Sequence, residues 1–369
     1  MDKETKPCIG GPANGICVNA YGTFGPDEQL KPVCIKRRYP LKPNDVLVDI
    51  AYCGICHSDI HCAQDEWKST IFPVVPGHEI TGYVKEVGLS VTKFKVGDKC
   101  GVGTFVHSCR NCKLCKDNQE QYCEEGFILT YNSKDVENKP DDCVTYGGYS
   151  NQIVVNEDYV LKWPDTLSMI EGSPLLCAGI TVYSPMKFHN VTKGTRVGVV
   201  GLGGLGHIAV RLAHAMGAFV CVLSRAKSDD KRQLAKELGA DLFISTGGNP
   251  DDIKCDVPLD IIIDTVSANH DIGPLLDLLR IDGNYVLVGV PPDHLKVSSL
   301  QLCLKRLNVT GSAVGGIKET QEMLDFCAKN NIVCMTETIK MSDVNAAYKR
   351  VVNADVKFRF VIDIKSSSF

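Results

Sequence analysis

The 369-residue chain has no long apolar run. No stretch approaches the roughly 18 residues that cross a bilayer, and the opening MDKETKPCIG lacks the hydrophobic centre of a secretory leader. Basic charge is not in excess either. With 40 Lys and Arg against 44 Asp and Glu, a formal net charge of −4, the chain offers no footprint for nucleic acid and no polybasic face for an anionic membrane. Internal repeats and low-complexity segments are absent, and the most polar stretch, TYNSKDVENKPDDC, reads as one surface loop. What these absences leave is a cytoplasmic protein with small-molecule partners, long enough for two domains.

Cysteine, by contrast, is plentiful. The 18 cysteines are too dilute, at about one residue in twenty, for a disulfide scaffold. They read as thiols and metal ligands in a reducing compartment. Four of them, Cys109, Cys112, Cys115 and Cys123, follow the pattern C-x2-C-x2-C-x7-C within SCRNCKLCKDNQEQYC. Thiolates on short polar loops can curl round one tetrahedral zinc, and four sulfurs saturate it, so such a site is structural. Ferredoxin spacings differ from this one, which disfavours an iron–sulfur cluster. Elsewhere Cys56, His78, Glu79 and Cys177 could supply two thiolates and an imidazole. A Cys2His set leaves a fourth position for water or an alcohol oxygen. Spacing this wide carries no signal by itself.

The chain changes character along its length. Up to about residue 175, short β-rich runs such as DVLVDIAY and SNQIVVN are broken by Gly, Pro and Asp clusters, as in an irregular, mostly β domain. From Thr195, RVGVVG, LGHIAVRLAHAMGA, FVCVLS, DDKRQLAKELGAD, LFIS, LDIIIDTV and NYVLVGV alternate strand and helix patterns. That alternation predicts a doubly wound parallel sheet. Its first turn, Gly201-Leu202-Gly203-Gly204-Leu205-Gly206, is a G-x-G-x-x-G between a strand and a helix, the setting in which glycines let backbone approach a pyrophosphate. The next strand ends on Ser224 and Arg225, with Lys231 or Arg232 as a further contact, where an NAD enzyme would carry an acid. A hydroxyl and cations suit a 2′-phosphate, so NADP(H) is the expected cofactor.

In CGICHSD, PGHE, VGDKCGVG, the four-cysteine lobe, LLCAGITVYSPMK, GLGGLGH, IIDTVSA, KETQEML and FRFVID, the sequence resembles the zinc-dependent medium-chain alcohol dehydrogenases, most closely the plant cinnamyl/sinapyl alcohol dehydrogenase branch. The resemblance covers nearly the whole chain. It implies an α/β protein: a mostly β GroES-like catalytic domain over residues 1–177, a Rossmann cofactor domain over 178–315, and a segment 316–369 returning to the first. It also implies zinc at two sites per chain. Cys56, His78 and Cys177 correspond to the catalytic zinc ligands, and Glu79 to a carboxylate that can approach the metal. Asp59 matches the residue that orients the ligating imidazole, Ser58 and His61 the proton relay, and Thr181 a cofactor contact. Trp67, Leu129 and Ala313 fall where the family lines its substrate pocket, which suits a flat aromatic or allylic aldehyde. Two departures lie near that pocket: NAYGTFG replaces the usual Lys-Ala-Phe-Gly-Trp pattern, and Lys68-Ser69 the usual Gly-Phe. The implied activity is NADP-dependent interconversion of aldehydes and primary alcohols by a homodimer, with NVTGSAV as the pairing edge. Reduction of iminium or α,β-unsaturated alkaloid or terpenoid substrates is an alternative, as is a noncatalytic zinc and dinucleotide binding module.

Overall fold

The computed structural model describes residues 8–12, 15–135, 143–248 and 253–369, so MDKETKP and the centre of the expected polar loop lie outside the described residues. It divides into two compact units: the chain to Cys177 together with Gly315–Phe369, and Ala178–Val314. The second junction falls one residue ahead of the expected 315/316 boundary. Among the described residues no helix is long and apolar enough to cross a membrane.

The first unit opens with an antiparallel ribbon, β1 (Gly15–Gly22) on β2 (Lys31–Arg38). The buried strand β3 (Asp45–Gly54) then leads through Cys56 into helix α1 (His57–Ala63). Antiparallel neighbours of β3 are β4 (Ile80–Val87) and, later, β8 (Gln152–Asn156). The sheet extends from β4 through β5 (Lys99–Val102) to β9 (Leu161–Lys162). Between β5 and β8, the pair β6 (Phe105–Ser108) and β7 (Phe127–Leu129) flanks the four-cysteine segment, which includes the short helix α2 (Lys113–Lys116). Helix α3 (Met169–Gly172) precedes Cys177.

Two glycines in this unit are dictated by close approach. A side chain at Gly54 would overlap the Glu79 carboxylate. Gly77 adopts φ +105°, and a Cβ there would lie 2.7 Å from the Tyr149 ring, so the residue before His78 must be glycine.

In the second unit α4 (Ala178–Phe188) packs against α5 (Gly206–Ala215). Its six-stranded sheet is parallel throughout: β10 (Arg196–Val200), β11 (Phe219–Ser224), β12 (Leu242–Ser245), β13 (Leu259–Asp264), β14 (Leu279–Leu287) and β15 (Asn308–Gly311), in the spatial order β12-β11-β10-β13-β14-β15. Helix α6 (Asp229–Glu237) follows β11, α7 (Gly273–Leu276) precedes β14, and α8 (Ser299–Lys305) precedes β15. β14 starts at Leu279, five residues before the apolar run NYVLVGV that marks it in the sequence. Its first half, LRIDG, is too polar to show as a strand and is held by pairing of Leu279 with Leu259.

The chain then returns to the first unit as α9 (Ile317–Asn330), β16 (Thr336–Ile339), α10 (Val344–Val352) and β17 (Arg359–Asp363). β17 pairs antiparallel with β3, so FRFVID becomes a strand beside the segment that carries Cys56.

Candidate active site

The structure brings Cys56, His78, Glu79 and Cys177 together: one ligand atom from each lies within 4.8 Å of all the others. Each comes from a different local device. Cys56 caps α1, where its backbone N–H donates to Asp59 Oδ2 at 2.9 Å. His78 and Glu79 lie just ahead of β4, and Cys177 ends the short helical turn Ser173–Leu176. The Sγ atoms of Cys56 and Cys177 are 3.7 Å apart, matching the edge of about 3.8 Å for a tetrahedron with 2.3 Å zinc–sulfur bonds. His78 Nε2 and Glu79 Oε2 are buried without a hydrogen-bond partner. Buried polar atoms are rarely left so, and two soft sulfurs with an imidazole aimed at one point fit a zinc ion with a position to spare.

Among these groups the surroundings favour the ligating form at Cys56 and the protonated form at Cys177, His78 and Glu79, so metal binding there is coupled to proton release. Cys177 hydrogen-bonds to Cys56 and holds its thiol well below the ordinary range against the effect of burial, with His78 adding to the shift. Burial pulls His78 down, but Asp59, Cys56 and Glu79 outweigh it and lift the imidazole to about 9. Burial raises Glu79 to about 8, opposed by Arg359.

Behind the imidazole sits a buried network. Asp59 Oδ1 lies 3.6 Å from His78 Nδ1 and accepts from the Gly77 N–H at 3.1 Å. Its Oδ2 accepts from the Tyr149 hydroxyl at 3.1 Å, and Tyr348 donates in turn to Tyr149 at 3.3 Å. Tyr131 stacks flat on His78, with ring centroids 5.6 Å apart. The loop carrying Tyr149 is clamped by the buried Arg37, whose guanidinium donates to the carbonyls of Tyr146, Gly147 and Gln152 and to Ser150 Oγ.

The expected relay residues are close by. Ser58 Oγ accepts from the Cys56 thiol at 3.6 Å, and one turn on, His61 Nδ1 pairs with Glu66. Ser58 sits inside α1 and Cys56 holds the cap position, so the hydroxyl is not used as a helix cap. His57 and Trp67 both pack their rings against His61 in tilted contacts, with centroids 4.7 and 5.2 Å away. Trp67 is half exposed, at 50%, which places it beside His61 rather than in the core. Leu129, 38% exposed, closes β7.

Sequence reasoning missed Arg359, Glu66, Tyr131 and Tyr149. Arg359 gave the plainest signal: an arginine opening the apolar run FVI on a buried strand needs a counter-charge, and it pairs with Glu79.

Cys109, Cys112, Cys115 and Cys123 form the second group within 4.8 Å. Cys109 Sγ and Cys115 Sγ are 3.8 Å apart, and the sulfurs accept backbone N–H groups: Cys109 Sγ from Cys112 at 3.2 Å, Cys112 Sγ from Cys115 at 3.4 Å, and Cys123 Sγ from Cys109 at 3.4 Å. Donation from Cys115 and Glu124 brings the Cys112 thiol down to about 7. Four sulfurs gathered round one point fit a closed zinc site.

In the nucleotide unit, Gly201 takes φ +87° and Gly206 packs on its carbonyl, while a Cβ on the exposed Gly203 would meet nothing within 4 Å. Bare backbone thus faces open space at Gly203, just ahead of α5, where the N-terminal end of the helix dipole fits a pyrophosphate; within the first turn the His207 N–H donates to the Gly203 carbonyl and the Ile208 N–H to the Leu205 carbonyl, each at 3.1 Å. Gly204, Leu202 and Leu205 complete the turn. Ser224 ends β11, and its Oγ accepts from the Ala226 N–H at 3.3 Å; Arg225 is exposed and Lys231 lies on α6. Thr181 is buried on α4, and Ala313 is exposed just past β15.

Two family models match the chain: alcohol dehydrogenase GroES-like domain over residues 42–165, and zinc-binding dehydrogenase over 204–329. The chain is 49% identical to 8-hydroxygeraniol dehydrogenase of Catharanthus roseus over 354 residues, covering 95% of this chain and 96% of that protein. It is 49% identical to NADP-dependent alcohol dehydrogenase C 1 of Mycolicibacterium smegmatis over 350 residues, covering 95% and 98%. A solved structure of cinnamyl alcohol dehydrogenase from Helicobacter pylori, complexed with NADP(H), superimposes with a TM-score of 0.88 at 45% identity, covering 96% of this chain and all of that one. The residues that gather here and the family that matches them agree: this chain belongs to the zinc-dependent medium-chain alcohol dehydrogenases, alongside the cinnamyl alcohol dehydrogenases.

Proposed function

We propose that this chain is an NADP(H)-dependent alcohol dehydrogenase that interconverts an aromatic or allylic aldehyde and its primary alcohol. The observation that carries the reading is the Cys56–His78–Cys177 cradle, with an orphaned imidazole nitrogen and a fourth direction not taken by a further thiol. Zinc, when bound there, supplies a Lewis acid that makes a hydroxyl acidic or a carbonyl electrophilic, and NADP(H) supplies the hydride acceptor or donor.

The rest is the work of side chains. Asp59 faces His78 Nδ1 at 3.6 Å and so favours the ring orientation that turns Nε2 toward the cradle; Tyr149 and Gly77 keep Asp59 from rotating. Ser58 takes the substrate hydroxyl proton in one direction and returns it in the other. His61, steadied by Glu66, exchanges that proton with solvent. Glu79, anchored by Arg359, keeps one carboxylate oxygen free beside the cradle for ligand exchange. Gly201 to Gly206 receive the pyrophosphate and Thr181 assists in cofactor binding, while Ser224, Arg225 and Lys231 select the 2′-phosphate. Trp67 and Leu129 on the first unit offer apolar surface to a flat substrate, and Ala313 on the second a small side chain.

Two chains pair through the edge strand β15, beside which α8 exposes Leu300 and Leu304. Work in the reducing cytosol suits a chain whose described cysteines are all free. The test is a panel of cinnamaldehydes, monoterpene aldehydes and alkaloid iminium ions, each with NADPH and NADH. Turnover of aldehydes with NADPH is expected. Activity confined to iminium ions, or equal rates with NADH, overturns the reading.

A further inference from the structure

Away from both metal sets, the outer face of the β1–β2 ribbon holds a row of three thiols. Val18, Ala20, Val33 and Ile35 are buried, and strand alternation turns Cys17, Asn19, Cys34 and Lys36 to the other face. The register sets Cys34 opposite Asn19 and Cys17 opposite Lys36, so Cys17 is the diagonal neighbour of Cys34 on that face. On the far side of β2, Cys8 forms a parallel bridge with Cys34: the Ile9 N–H donates to the Cys34 carbonyl at 2.9 Å and the Lys36 N–H to the Gly10 carbonyl at 2.8 Å. The bridged pair Cys8 and Cys34 lies about 4.8 Å apart, inside the range of about 4.4–6.8 Å between Cα atoms that a disulfide spans, whereas the diagonal pair Cys17 and Cys34 lies about 7–8 Å apart, with its thiols in hydrogen-bond contact, and links after a small movement of the two-stranded ribbon.

All three cysteines are free; Cys8 and Cys17 are exposed and Cys34 is half-buried between them. Among the described residues only the two sets above close on a common point, so this row is not a third metal cradle. Burial, then the neighbouring Cys17 and Cys8 thiols, push Cys34 up to about 11. It is therefore a poor first attacker, and shielded from a bulky reagent, yet within reach of whatever its neighbours bind.

We propose that this row is a thiol–disulfide exchange site for low-molecular-weight disulfides, in which Cys8 or Cys17 takes up the incoming thiol and Cys34 resolves either adduct. The Cys8 or Cys17 thiolate attacks one sulfur of the small disulfide, forming a mixed disulfide and releasing one small thiolate. Cys34 then gives its proton to solvent and attacks the protein sulfur of that adduct, releasing the second small thiolate. Two protein thiols are oxidised, one small disulfide is reduced to two thiols, and excess small thiol reverses both steps.

The test equilibrates the zinc-loaded full chain with oxidised and reduced glutathione at set ratios, quenches in acid, alkylates free thiols and maps linked peptides by mass spectrometry. Peptides joined Cys8–Cys34 and Cys17–Cys34 are expected. Cys34→Ser should contain neither link and should accumulate several-fold more glutathione on Cys8 and Cys17. Cys8→Ser and Cys17→Ser, both at exposed positions, should each retain only the other link. A Cys8–Cys17 link in the unaltered chain, adducts with no internal link, or equal adduct levels with and without Cys34 would overturn the proposal.

Discussion

The two cysteine-rich sets use the same atoms to opposite ends. The lobe draws all its donors from fifteen residues, Cys109 to Cys123, and surrounds its centre with four sulfurs tied to local backbone N–H groups. The cradle draws Cys56 and Cys177 from positions 121 residues apart, gives one corner to an imidazole, and keeps a carboxylate beside it. On the reading proposed above, one holds a loop in shape and the other holds a corner for chemistry. The lesson is that local spacing marks a closed site, whereas an open one needs distant elements to converge and a buried network to aim them.

The sharpest way to break that contrast is His78→Ala. Turnover should fall by roughly a thousandfold or more, since several kcal/mol of transition-state stabilisation is lost with the metal. Zinc per chain should halve while far-ultraviolet circular dichroism stays unchanged. Retained turnover would remove the cradle from the reaction.

Next in size is Ser58→Ala. It should lower aldehyde reduction about a hundredfold, the usual cost of a lost proton-transfer group, and leave both zincs in place. If zinc falls too, Ser58 acts through Cys56 and not on substrate.

Tyr149→Phe should weaken zinc retention at the cradle about tenfold, read as release to a chelator, because Asp59 loses one of its donors. The lobe should release its metal at an unchanged rate. Equal acceleration at both sites would point to a general loosening instead.

Smallest in its effect on rate is Cys112→Ser. It should lower the melting temperature by several degrees and drop one zinc, yet leave kcat within about twofold at low temperature, since the lobe makes no contact with the reacting groups. A large loss of kcat in a folded protein would erase the distinction between the two sets.

How much of this was legible beforehand follows the same division. The lobe, the glycine turn and most strands of the parallel sheet declare themselves locally, through spacing or an unbroken apolar run such as VGVV in β10. The cradle was legible only through resemblance, because no local rule connects Cys56 with Cys177. Tyr149 and Tyr131 were silent: a tyrosine in a β-rich stretch reads as packing, and only the fold shows their rings and hydroxyls gathered on His78 and Asp59. β14 was half hidden because pairing, rather than side-chain pattern, starts it.

The return of β17 has a consequence for the order in which the molecule is made. Arg359 meets Glu79 across 280 positions of sequence, whereas every ligand of both sets has been synthesised by Cys177. A nascent chain halted after the nucleotide unit therefore owns all its metal donors but exposes the edge of β3 and leaves a buried acid without its cation. Such a chain should load the lobe during translation and complete the cradle only after release from the ribosome.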